Sequence, residues 1–147
     1  MAAMSNYLEN KLLDHVFRGV TYTPPSTIYI ALFTATPDDT GGGTEVSGNA
    51  YARVALNPST TNWAATNGAT TTTNPSSGTS GTTSNNSAIT FPTATPSNWG
   101  TVVAVGIFDA STSGNLLFWG PLSASQVVNA GSTFSFAISQ LGVQIDN

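Results

Sequence analysis

Two apolar runs, VVAVGIF at residues 102–108 and LLFW at 116–119, flank the polar turn DASTSGN and restrict the folds open to this chain. Successive side chains of a β-strand point to opposite faces, so a strand with one wet face needs an apolar residue only at every second position. Here Ile107 and Phe108 are adjacent, as are Phe118 and Trp119. Both faces of the hairpin therefore need cover. The second cover comes either from the chain's own layers, with the hairpin central, or from another subunit. Phe108, Leu117, Phe118 and Trp119 are accordingly the candidate core or subunit-interface residues.

The flanking sequence supplies mostly strands. Pro24-Pro25 precedes TIYIALF (27–33), a β-branched and aromatic run apolar on both faces, and AYARVAL (50–56) reads as a second strand. AITFPTATP (88–96) and NWGTVVAVGIFDA (98–110) follow. Near the C-terminus, Phe134 and Phe136 alternate with small polar residues, as do Leu141, Val143 and Ile145, the pattern of strands covered on one side. One segment reads as helical. Ser5 is a plausible N-cap for a helix over 5–19, with Leu8, Leu12, Leu13, Val16 and Phe17 at helical spacing and Gly19 as the stop. Many short strands separated by Gly, Pro and Asn predict a mainly β fold, an antiparallel β-sandwich or barrel-like domain with one N-terminal α-helix. The length of 147 residues fits a single β domain over 1–147.

Between Thr66 and Ala88 the chain reads TNGATTTTNPSSGTSGTTSNNSA, with no large apolar residue. Fixing its backbone costs on the order of 20 to 45 kcal/mol, at roughly 1–2 kcal/mol per residue, with almost no apolar burial in return. The expectation is a long Thr/Ser/Gly-rich loop, or an arm ordered by a partner. Thr70, Thr73, Asn74, Ser80 and Ser84 are its candidate partner-binding residues.

Chemistry is sparse. The chain has three basic and seven acidic residues and no cysteine, and its 7% of charged residues compares with about 25% in ordinary domains. With only Lys11, Arg18 and Arg53 as cations there is no basic patch, so direct nucleic-acid binding is not expected. No apolar run approaches the roughly 20 residues of a membrane span, so no membrane partner is expected. MAAMSNYLENK lacks the order of a signal peptide. His15, the lone imidazole, falls in the helix. Asp38-Asp39 before Gly41-Gly42-Gly43 lacks the spacing of a calcium loop, and the glycines lack the Lys and helix of a phosphate loop. Asp109 is placed to bond turn amides. The aromatics Trp63, Trp99, Trp119, Tyr22, Tyr29 and Tyr51 show no spacing that marks a sugar site. The expectation is no enzyme, no catalytic or metal residues and no cofactor.

The ordered motifs SGNAYARVAL, ITFPTATPSNWGTVVAVGIFDA, GNLLFWGPL and VVNAGSTFSFAISQL, with the TIYIALFTATP opening, resemble a family of small tailed-bacteriophage virion proteins, variously capsid decoration (cement) or tail-fibre-like proteins. The resemblance implies a mainly β subunit made in the bacterial host cytoplasm and resident on the virion. It also implies assembly with itself, commonly as a homotrimer, and contact with the major capsid protein or other phage structural proteins. Low charge and the Thr/Ser-rich arm put a capsid decoration protein first. The alternatives are a tail fibre or spike component, with Trp63 and the Gly/Ser/Thr segment as host-facing candidates, and a bacterial surface or carbohydrate-binding module.

Overall fold

The computed structural model describes residues 3–66 and 76–145. Its elements are β1 (Ala3–Met4), α1 (Asn6–Phe17), β2 (Tyr29–Ala35), β3 (Thr44–Glu45), β4 (Val54–Ala55), β5 (Thr82–Ser84), β6 (Ile89–Thr93), β7 (Gly100–Phe108), β8 (Leu116–Val128), β9 (Thr133–Phe136) and β10 (Gly142–Gln144). Among the described residues the fold is mainly β and antiparallel, with one helix near the N-terminus and no closed barrel. The main sheet runs β1-β8-β7-β2-β3, and β4 also pairs with β2. Two small sheets, β6-β9 and β5-β10, complete it.

The hairpin of β7 and β8 is central, which answers the question of its second face. On one side, Ile30, Leu32, Val102, Val105, Ile107 and Val128 pack with Ile89, Phe91, Phe134, Phe136 and Val143 of the small sheets. The opposite face carries a smaller cluster of Ala31, Phe33, Ala104, Phe108 and Leu116. The rings of Phe33 and Phe108 stack there with centroids 6.2 Å apart. Gly106 makes this possible, because a Cβ at that position would lie 2.9 Å from Phe33 Cε2 and 3.1 Å from Leu116 Cδ1. The chain covers much of its own second face.

A salt bridge closes that cluster. The Arg53 guanidinium lies 3.6 Å from the Phe108 ring centroid. It also donates to both carboxylate oxygens of Glu45, at 2.8 and 2.7 Å. Its Nη1 donates to the carbonyls of Ala110 and Ser113, both at 2.8 Å, and so ties the β7-β8 turn to the β4 side. Such an ion pair holds together only when its remaining donors are satisfied, as they are here. Asp109 meets the expectation for it, accepting from the Asn115 amide N–H and side chain at 2.7 Å each.

Three boundaries differ from those read in the sequence. The strand expected over 50–56 shrinks to Val54–Ala55, because Asn49 and Ala50 have φ of 49° and 63° and turn the chain. Tyr51 then points inward, its hydroxyl donating to Glu45 at 3.0 Å and accepting from the Leu32 amide at 2.9 Å. The helix expected over 5–19 spans Asn6–Phe17, with Ser5 as its cap. Finally, the stretch expected to be loop from Thr66 to Ala88 contains β5, which pairs with β10 from Ser84↔Gly142 to Thr82↔Gln144.

Candidate functional site

The four hairpin candidates occupy different surroundings. Phe108 is buried under Arg53. Phe118 is half-buried against the larger core and Trp119 is half-buried against the smaller one. Trp119 Nε1 donates to Asp39 Oδ1 at 3.1 Å. Leu117 is the extra residue of a β-bulge, since Ile107 pairs with Phe118 while Phe108 pairs with Leu116. The bulge leaves the carbonyls of Leu116 and Leu117 to be taken by Ser5, through its hydroxyl and its amide N–H respectively. That contact docks the N-terminus of α1 on β8.

Of the candidate arm residues, Thr70, Thr73 and Asn74 lie outside the described residues. Ser80 is exposed and bonded to Thr82, and Ser84 lies in β5. The C-terminal part of this segment therefore belongs to the fold. Its anchor is Asn85, which is 0% exposed. The Asn85 side chain donates to the carbonyls of Ser87 and Ala137 at 2.8 and 2.9 Å and accepts from the Leu141 amide at 2.8 Å. Sequence reasoning passed over it because Asn reads as a turn former. The one signal was its place just before the run that begins at Ala88.

Beneath the Ser5 dock lies an apolar cleft of about 560 Å³. Leu8, Tyr22, Pro24, Trp63, Leu117 and Phe118 are among the residues that line it. Trp63 Nε1 is buried without a hydrogen-bond partner. The three tryptophans do not form one platform. Trp99 is buried, with Nε1 donating to the Asn49 carbonyl at 2.9 Å, and Trp119 bonds Asp39.

The second apolar surface is α1 itself. Leu8, Leu12, Leu13, Val16 and Phe17 recur at helical spacing, and of these only Leu8 is buried. Leu13, Val16 and Phe17 are 53%, 65% and 78% exposed, and Val20 just beyond is 51% exposed. Leu13, Val16 and Phe17, with Met4, Glu9 and Leu12, border a shallow groove. Ser5 docks the helix by its N-terminal end, and Leu8 in the first turn is its buried residue.

Chemically these surfaces can bury apolar groups and little else. Among the described residues, no three His, Cys, Asp or Glu side chains converge as metal ligands would. Asp38 closes its own turn, accepting from the Thr40 hydroxyl at 2.6 Å and from the Thr40 and Gly42 amides at 2.9 and 3.0 Å. The Thr40 hydroxyl and those amides hold its carboxyl below the usual range. His15 Nδ1 accepts from the Tyr22 amide at 3.2 Å, tying the segment after the helix back to it. Among the described residues, no helix is long and apolar enough to cross a membrane.

Comparison with known proteins adds one finding. A family model described as podophage GP4 fiber I protein gp80 matches residues 3–144. No curated protein matches the chain. The match takes in all ten strands and the helix. Its description names a fibre, which favours the fibre alternative over the head-decoration reading put first on sequence.

Proposed function

The chain belongs to the podophage GP4 fiber I protein gp80 family, and on that premise we propose that it is a fibre subunit of a phage virion, a structural protein without catalytic activity. The observation that carries this reading is the match over residues 3–144. The absence of enzymatic work is supported by how the polar side chains are spent: Asp38 and Asp109 shape turns, and Glu45 with Arg53 seals a packed face. The subunit acts in several copies, bound to itself and to other structural proteins of the particle. The outward apolar stripe of α1 and the apolar cleft are the surfaces that fit such contacts.

The test is a phage unable to make the protein. On this reading its particles keep heads of unchanged heat stability but adsorb poorly to the host, and adding back the purified protein restores adsorption. Heads that lose stability while adsorption stays normal contradict the fibre assignment and support a decoration protein.

A further inference from the structure

We propose that His15 is a pH-sensitive latch: its neutral ring holds the stretch after α1 in place as a wall of the apolar cleft, and its protonation releases that stretch. The inference goes beyond the fibre reading and is independent of where the protein sits on the virion.

The latch is a single bond. His15 stands in the last turn of α1 and accepts the Tyr22 amide N–H on Nδ1 at 3.2 Å. A ring nitrogen that accepts carries no proton, so the imidazole is neutral with its hydrogen on Nε2. The Arg18 and Val20 amides both donate to the Asp14 carbonyl at 3.1 Å and finish the helix. Past Val20, among the described residues, the bond to His15 is the one that ties residues 21–27 to the rest of the chain. Pro24 and Pro25 have no amide N–H to add another.

What the bond holds is a wall. Tyr22, Pro24 and Pro25 line the cleft on this side, together with Trp63, Leu117 and Phe118 from the body of the fold. Tyr22 is half-buried there, and burial first, then Tyr7 and Asp109, raise its phenol above the ordinary 10.0. Residues 21, 23, 24 and 26 are exposed. A stretch with so few buried contacts and one bond opens locally at low cost.

A proton reverses the contact. Protonated imidazole donates from both nitrogens, so Nδ1–H and the Tyr22 N–H would face each other as two donors. Histidine is the side chain whose charge ordinarily changes between about pH 5 and 8. The neighbouring charges are already engaged: Lys11, a turn earlier, lies 5.6 Å over the Tyr7 ring, and Asp14 is paired with Arg18 at 3.0 Å. Of the groups beside Tyr22, Asp109 is held by Asn115. A cationic ring suits the last turn of a helix, toward whose end the carbonyls point. The ring therefore stays with α1, and the stretch after it moves.

Nuclear magnetic resonance on isotope-labelled full-length protein tests this. At pH 8 the His15 ring should show its hydrogen on Nε2; a hydrogen on Nδ1 would overturn the proposal. Hydrogen exchange of the Tyr22 amide, corrected for its intrinsic pH dependence, should lose protection by roughly 2- to 12-fold between pH 8 and 5, the net worth of one hydrogen bond. The β7 amides of Val105 and Ile107 should stay protected throughout. In His15→Asn the side-chain carbonyl takes the place of Nδ1 and does not titrate, so Tyr22 should be protected at both pH values. In His15→Ala it should be unprotected at both. Wild-type protection that is equal at pH 5 and 8, a loss shared by His15→Asn, or a loss in which the β7 amides join would each contradict the latch.

Discussion

At the scale of single residues, a buried and a half-buried polar side chain, Asn85 and Tyr51, tie together segments distant in the chain. Asn85 joins the chain after β5 to the turn before β10 through three side-chain hydrogen bonds. Asn85→Ala removes the partners of the Ser87 and Ala137 carbonyls and of the buried Leu141 amide, and a buried group left stranded costs about 1–3 kcal/mol. Denaturant unfolding should show a loss on the order of 3 kcal/mol. Tyr51 gives a pH dependence. Burial, chiefly, pushes its phenol above the ordinary value of 10.0. Because the folded state keeps this proton longer than the unfolded chain, the stability it contributes is intact below pH 10 and falls as pH rises beyond it. Thermal melts across that range should fall less steeply for Tyr51→Phe than for the wild type. Neither residue was legible as important in the sequence. Asn85 sat in a polar tract, and Tyr51 in a run that read as an ordinary strand.

At the scale of elements, the large strands were legible because their cause is local. TIYIALF, ITFPT and the hairpin runs carry β-branched and aromatic residues between turn formers, and β2, β6, β7 and β8 lie there. What could not be read depends on distant partners. β5 is made of Thr82, Thr83 and Ser84 and forms because β10 lies beside it and Thr83 Oγ1 donates to the Ala64 carbonyl at 2.7 Å. The outward stripe of α1 was likewise invisible, since periodicity reports that a face is apolar and not which way it points. Two predictions belong here. Deleting Thr70 to Ser84, which the sequence alone marks as harmless to the fold, removes β5 and unpairs β10, and should lower the melting temperature and increase proteolysis near Val143. Phe118→Ala and Trp119→Ala remove half-buried rings, so each should destabilise by less than Phe91→Ala, whose fully buried ring carries about 3–5 kcal/mol. Urea midpoints of the three variants give the order directly.

At the scale of the whole molecule, the protein has a net charge of −4 and few groups that could do chemistry. The hairpin's two-sided greasiness is largely spent inside one chain, and the apolar surface left over lies on α1 and in the cleft. The central claim is that the particle carries it as a fibre. Labelling the protein with a specific antibody on purified virions, and imaging the gold by electron microscopy, tests that claim most directly. The account predicts a few labels per particle, confined to the tail end; labels spread in hundreds over the head would contradict it.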